Sequence, residues 1–295
     1  DCSGSDHGSL AQWAEPRCRC PLPGVFQAGR CCLIRLFTTW YREPREDRHA
    51  EYLRCLRQNL DCPAIGQVCV FDECSGNLPS HPKLVTQTVK KRPTYKNFFE
   101  WINDLSAETD LAVIANTDIC FDLSLVSLLE FDWTLPTAFA VSRWDVQPNG
   151  SLQLFDRGDS QDAWIFRGPV SPVIADFPLG VYDCDNKIAW ELQQAGYRVL
   201  NPALSLRSYH HHQCGYRSYE QKPAPDYGIR PPFLYVEPEN LWGPLTAWRI
   251  SRRLKLPYVP WSMTTRRFCR YPLPALFCRV WNKLTRTVAA AGGRD

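Results

Sequence analysis

The stretch DLAVIANTDICFD, residues 110–122, constrains the fold more than any other part of this chain. Leu111 to Ala115 are five consecutive apolar residues, bounded on both sides by polar ones. The run is too short for a helix and reads as a strand buried on both faces, as strands of a parallel sheet are. Asn116, Thr117 and Asp118 follow at once, so the strand delivers polar side chains to its carboxyl end. In open parallel sheets, ligands bind at that edge.

The neighbouring segments supply partners for such a strand. CCLIRLFTTWY (31–41) is predicted as a buried strand, and EPREDRHAEYLRCLRQNL after it as a helix with Ala50, Leu53, Leu56 and Leu60 on one apolar face. GQVCVFDE (66–73) and KLVTQTV (83–89) read as strands, and TYKNFFEWINDL as a helix carrying Phe98, Phe99 and Ile102 inward. Strands alternating with helices imply parallel pairing with right-handed crossovers, with LAVIA in the centre. Further on, TAFAVSRWD (137–145) and SLQLFD (151–156) flank a PNG hairpin turn, and DAWIFRG (162–168) is another strand. NKIAWELQQAGYRV (186–199) reads as a helix ended by Gly196 and then a strand. PAPDYGIRPPF, beyond residue 221, is Pro-rich and aperiodic. The expected organisation is an irregular Cys-rich arm over 1–30, an α/β domain over 31–220, and a Pro-rich linker with a basic aromatic extension over 221–295.

Charge and cysteine usage narrow the function classes. A formal net charge of only +3 over 295 residues is not that of a polycation built for nucleic acid. The charge is uneven, because Arg249 to Asp295 holds eleven Lys/Arg and one acid, together with Trp261, Phe268 and Trp281. Residues 249–286 could therefore rest on an anionic membrane surface, or form a solvated extension packed on the domain. No apolar run reaches the roughly eighteen residues of a membrane span. The chain opens at Asp1, which is read as a removed leader or anchor, or as a fragment. Nine of the fourteen cysteines fall in the first 74 residues, which suits disulfides in an oxidising lumen and equally free buried thiols. Cys18-x-Cys20 and Cys31-Cys32 lack the spacing of a zinc knuckle. The compartment stays open between cytoplasm, membrane periphery and the secretory-pathway (Golgi) lumen.

Polar residues gather where apolar elements end. Asp118 could ligate a hard divalent cation or cap the helix starting near Leu123, although Asp122 is the better placed cap. Arg143 and Asp145 end a strand in SRWD, Asp162 lies in SQDAW, and Asp183 and Asp185 precede a helix in GVYDCDNK. His210, His211 and His212 close a strand, where side-chain alternation lets at most His210 and His212 share a face.

These segments, in this order, resemble GT-A-type glycosyltransferases, and more closely a group of glycosyltransferase-like proteins. The resemblance is carried by LFTTWYREPREDRHAEYLRCLRQNL, KRPTYKNFFEWIN, IANTDICFD, VSRWD, SQDAWIF, DFPLGVYDCDNKIAWELQQAGYRVLNP and SYHHH, over roughly residues 33–220. It implies a GT-A-like (Rossmann-like), mostly parallel sheet flanked by helices, and a nucleotide-sugar donor. The base and ribose would lie near Thr38, Thr39 and Arg42, with Arg92 near the diphosphate. Asn116-Thr117-Asp118 stands where the family has Asp-x-Asp, with Asn in place of the first Asp. Asp118, with His210 or His212, would hold Mn2+ or Mg2+. Asp185 or Asp183 would be the catalytic base of an inverting enzyme, with Asp162 as second choice. Arg143, Trp144, Asp145, Trp164 and Asn186 suit a sugar-binding cleft, although each tryptophan could equally be core. The acceptor would be a glycan or a lipid-linked molecule. Two rival readings use the same residues: a metal-dependent phosphoesterase or nuclease, and a carbohydrate-binding protein that has lost the chemistry, which Asn116 favours.

Overall fold

LAVIA is the middle strand of a seven-stranded sheet. The computed structural model describes residues 32–74, 78–215, 227–242 and residue 252. In chain order its elements are β1 (Ile34–Trp40), α1 (Glu46–Asp61), β2 (Gln67–Asp72), β3 (Leu84–Thr88), α2 (Tyr95–Leu105), β4 (Leu111–Ala115) and β5 (Ile119–Phe121). A 3-10 helix (Leu123–Glu130) leads to β6 (Thr137–Val141), β7 (Trp144–Val146), β8 (Leu152–Leu154), β9 (Ala163–Arg167), α3 (Cys184–Gln194), β10 (Arg198–Leu200) and β11 (Ser208–His210). The large sheet has the order β10-β6-β9-β4-β1-β2-β3, and a four-stranded sheet has the order β5-β11-β7-β8.

All neighbours in the large sheet are parallel except β9, which runs against both β4 and β6. The reason lies in the connections. A parallel neighbour needs a long crossover, whereas β9 is reached through the β7–β8 hairpin, turned at Gly150 with φ +80°. The start of β9 consequently lies at the same edge as the end of β4.

Every residue of β4 is at most 1% exposed. Burying Leu111, Val113 and Ile114 contributes about 1.5–3 kcal/mol each. On one face of the sheet, Phe37, Ala112, Ile114, Trp164 and Phe166 pack with Phe98, Phe99 and Ile102 of α2 and Ile188 and Leu192 of α3. The residues alternating with them, Leu36, Val113, Phe139 and Ile165, are fully buried as well, which is why the strands read as unbroken apolar runs. α2 starts with a capping box between Thr94 and Asn97. Asp122 caps the 3-10 helix, accepting from the Ser124 N–H at 2.8 Å, as expected.

Two expectations change. TAFAVSRWD is two strands, because Ser142 leaves the large sheet: its N–H donates to Asn201 Oδ1 at 3.1 Å, and its hydroxyl to the Ser160 carbonyl at 2.9 Å. Of the four residues expected on the inward face of α1, Leu56 and Leu60 are buried and Ala50 and Leu53 are not. Ala50 is exposed and Leu53 half-buried, while Arg48, Glu51, Tyr52, Cys55, Leu56, Asn59 and Leu60 are buried. That face meets polar backbone as well as apolar side chains. Asn59, for example, donates to the Ile119 carbonyl at 2.9 Å and accepts from the Phe121 N–H at 3.0 Å.

The arm expected over 1–30 and, apart from Arg252, the basic aromatic stretch 249–286 lie outside the described residues. Part of the Pro-rich segment is described and docks on the α/β unit. Val236 N–H donates to the Gly158 carbonyl at 2.7 Å, and Ile229 joins the apolar core. No helix among the described residues is long and apolar enough to cross a membrane.

Candidate active site

The segments that end β1, β2 and β4 leave polar side chains at one sheet edge, and a cleft of about 1050 Å3 opens there. Its wall is built by Thr39, Tyr41 and Arg42 after β1, Glu73 and Cys74 after β2, Arg92 before α2, and Asn116, Thr117 and Asp118 after β4. The start of β9, the head of α3 and the end of β11 complete it with Asp162 and Trp164, Asp183 to Asn186, and His210 and His212.

Asp118 is not a helix cap. Its Oδ2 is ion-paired with Arg48 Nη2 and lies 3.1 Å from His210 Nε2. Ligand atoms of Asp118, His210 and His212 all lie within 4.8 Å of one another, so the outer histidines do come together, although β11 ends at His210 and His212 lies beyond it. Burial pushes the Asp118 carboxyl up, but His210 and Arg48 outweigh it and hold the group well below the carboxylate range. The other nitrogen of His210 faces Asp145 Oδ1 at 2.7 Å. Burial opposes its charge, yet Asp118 and Asp145 together raise its pKa to about 9. His212 goes the other way, lowered to about 4 by burial, Arg48 and His210. It is therefore a neutral imidazole with a lone pair to offer.

Across the cleft, Asp185 sits in the first turn of α3. Its carboxylate accepts from the Gln161 N–H at 3.1 Å and the Asn186 N–H at 3.0 Å. Burial, reinforced by the charge of Asp162 against those N–H groups, raises its pKa to about 7. Asp183, just before α3, is the described non-glycine residue with positive φ, at 59°, and burial raises its pKa too. Asp162 is engaged on both oxygens, accepting from Asn116 Nδ2 and Arg143 Nη1 at 2.9 Å each.

The remaining expected residues divide between the cleft and its support. Thr39, Arg42, Arg92, Asn116, Arg143, Trp164 and Asn186 line the cleft. Thr38 lies behind it, donating its hydroxyl to the Ala115 carbonyl at 2.9 Å and so tying β1 to β4. Trp144 is buried with its indole N–H on the Ala203 carbonyl at 2.9 Å. Asp145 accepts from Arg143 Nε at 3.0 Å and holds His210. Both brace the site from outside its lining.

Sequence reasoning passed over Arg48, Glu51, Glu73, Gln161 and Gly180. Arg48 joins Asp118 to Glu51 Oε2 at 2.7 Å and to the His211 carbonyl at 3.0 Å. Glu51 in turn accepts from the Gln213 and Cys214 N–H groups at 2.6 and 3.0 Å, anchoring the chain just after the histidines. The available signal was their i, i+3 spacing on the helix face shared with Tyr52, Cys55 and Leu56. Gly180 has φ +73°, and a Cβ there would lie 3.2 Å from Arg92 Nη2. Four cleft residues carry buried polar atoms without a hydrogen-bond partner: Glu73 Oε1, Gln161 Oε1, Trp164 Nε1 and Asn186 Oδ1. Native interiors rarely leave such groups unmade, and these lie just behind the surface of one cleft.

His211, between the two cleft-facing histidines, belongs to a different group. One of its ring nitrogens and the sulfurs of Cys55 and Cys120 lie within 4.8 Å of one another, all three residues being buried.

No protein-family model matches the chain, and no curated protein matches it. Among solved structures, it is similar to a mannosyltransferase from Pyrobaculum calidifontis, determined in complex with GDP-mannose and Mn2+, at a TM-score of 0.40 and 14% identity. That match covers 66% of this chain and 58% of the other, so the chain spans less than two-thirds of the mannosyltransferase. A 4-diphosphocytidyl-2C-methyl-D-erythritol synthase from Anaerococcus prevotii is similar at a TM-score of 0.28 and 9% identity, over 46% of this chain and 71% of the other. The fold class rests on the chain's own strand order: it is a mixed α/β protein with a large, mostly parallel central sheet flanked by helices, the kind of sheet expected for a GT-A-like fold.

Proposed function

We propose that this protein is a nucleotide-sugar-dependent glycosyltransferase, moving a sugar from a nucleoside-diphosphate donor to the hydroxyl of a glycan or lipid-linked acceptor. The observation that carries the reading is that one cleft, at the carboxyl edge of the central strand, is lined both by the Asp118–His210–His212 cluster and by Asp185.

The donor set bears on the cation. One carboxylate and two imidazoles fit Mn2+ better than Mg2+, which takes oxygen ligands almost exclusively. Asp118 and His212 offer lone pairs directly, and His210 would add one on releasing its Nε2 proton. When bound, the cation draws charge from the departing diphosphate.

The chain's own residues account for the rest. Thr39 and Arg42 line the cleft where the base and ribose would lie, and Arg92 offers positive charge where the diphosphate would run. Asp185, with a pKa near neutrality, takes the acceptor hydroxyl's proton as that oxygen attacks the sugar. Asp162 is the positioning residue that holds Asn116 and Arg143 toward the sugar. Trp164 and Asn186 line the cleft where the sugar would lie. Two-metal phosphoester hydrolysis has less support, because Asp118 is the single carboxylate of the described donor cluster.

The test is thermal stabilisation by a panel of nucleotide sugars with and without Mn2+. A shift that needs both ligands and disappears in Asp118→Ala supports the reading. Phosphodiester cleavage without any such shift would point to the hydrolase instead. Binding without transfer to any acceptor would leave the non-catalytic alternative standing.

A further inference from the structure

We propose that Cys55, Cys120 and His211 form a second metal centre, a buried site for Zn2+ built from two thiolates and one imidazole and separate from the cleft. The three donors come from three elements: Cys55 from α1, Cys120 from β5, and His211 from the residue after β11. Their exposures are 0%, 3% and 7%, and their ligand atoms already lie within 4.8 Å of one another. Tetrahedral zinc, with Zn–S of about 2.3 Å and Zn–N of about 2.0–2.1 Å, needs donor atoms roughly 3.5 Å apart. Small side-chain adjustments reach that spacing. The chemistry of the donors is selective as well, since paired thiolates and an imidazole favour zinc over the hard cations.

A second, independent observation points to a ligand. His211 Nδ1 is buried with no hydrogen-bond partner. Leaving such an atom bare forfeits its interaction with water for nothing, and coordination by this nitrogen would remove that penalty. A cleft of about 480 Å3, lined by Cys120, His211, Gln58 and Asp61, adjoins the cluster. It leaves room for a fourth donor, water or the Gln58 carboxamide, whose Oε1 already lies 2.9 Å from Cys120 Sγ.

The placement gives the site a role. His211 sits between His210 and His212, which are turned toward Asp118. Zinc would displace the thiol protons and cross-link α1, β5 and the end of β11, fixing the backbone from which the two cleft histidines project. None of this depends on which reaction the cleft performs.

The experiment uses the full chain. Zinc is quantified in protein purified without chelator, and zinc-free protein is then reconstituted with Co2+. We expect a single tightly held equivalent of zinc, and a cobalt spectrum with tetrahedral ligand-field bands and thiolate-to-cobalt charge transfer. The charge-transfer band should disappear in Cys55→Ser and Cys120→Ser and persist in Asp118→Ala and His212→Ala. X-ray absorption of the wild-type zinc protein, which needs no variant to fold, should show a mixed sulfur and nitrogen shell. An oxygen-only shell, a charge-transfer band that survives in Cys120→Ser, or a Cys55–Cys120 disulfide in peptides mapped without reduction would each overturn the proposal.

Discussion

The two sides of the cleft present the same side chain in opposite states. On the strand side, Asp118 lies among Arg48, His210 and His212, and the cations hold it ionised far below the usual range. On the helix side, burial, with the nearby charge of Asp162, raises Asp185 to about 7 against the backbone N–H groups it accepts from. An aspartate surrounded by cations is a permanent anion, suited to holding a cation. An aspartate enclosed without a cationic partner exchanges its proton near neutrality, suited to acid–base work. Environment, not residue type, separates the two roles.

The most severe way to break this contrast is Asp185→Asn. It should lower the transfer rate by about 10²–10⁴-fold, the usual worth of a positioned base, with donor-dependent thermal stabilisation retained. Equal loss of transfer and donor binding would remove Asp185 from the role of base. On the strand side, Arg48→Met should cost about 3–5 kcal/mol in urea unfolding, because it takes the Arg48 cation from buried Glu51 and leaves Asp118 with His210 alone. A loss below about 1 kcal/mol would mean that the pair behaves as a surface ion pair.

Acidity sharpens the comparison. The folded pKa of Asp185 is raised from 3.8 to about 7, so its active carboxylate forms only as pH rises through that value. kcat/KM should climb toward a plateau above about pH 7, and Asp185→Asn should flatten the profile at its low residual level. The stability signs run oppositely. Asp185 binds its proton more tightly in the fold, so its contribution weakens as pH rises from 3.8 to about 7. Asp118 is lowered in the fold, so its contribution is present above its unfolded value of 3.8 and is lost on acidification. Urea midpoints compared with wild type should show the Asp185→Asn slope between pH 3.8 and about 7, and an Asp118→Asn slope of opposite sign below pH 3.8. The smallest effect is expected from Gly180→Ala, about 1–2 kcal/mol for a left-handed residue. Its crowding of Arg92 should also raise KM for the donor more than it lowers kcat. Unchanged donor KM would place Arg92 away from the diphosphate.

Much of the framework was legible in the residues. LAVIA could be read as a central strand because both of its faces are covered, and a doubly covered strand must be apolar throughout. Asp122 could be read as a cap because capping is local, reaching only two residues ahead. His210 and His212 do meet, as expected of the outer pair, but the strand ends at His210, so the chain beyond it brings His212 in. α1 was read less well, because apolar spacing finds a helix face only when that face meets apolar partners, and this one meets the chain that carries the histidines.

What the sequence by itself determined is the set of elements, their order, and the polar residues that end them, since periodicity and caps act over a few neighbours. Only the tertiary structure decided that Arg48, seventy positions before Asp118, would pair with it, and that Asp185 would face the same cleft with no ion pair among the described residues. It likewise decided that Cys55, Cys120 and His211 would converge. Charge, burial and coordination depend on distances through space, and a linear chain acquires those distances only when its strands are ordered into a sheet.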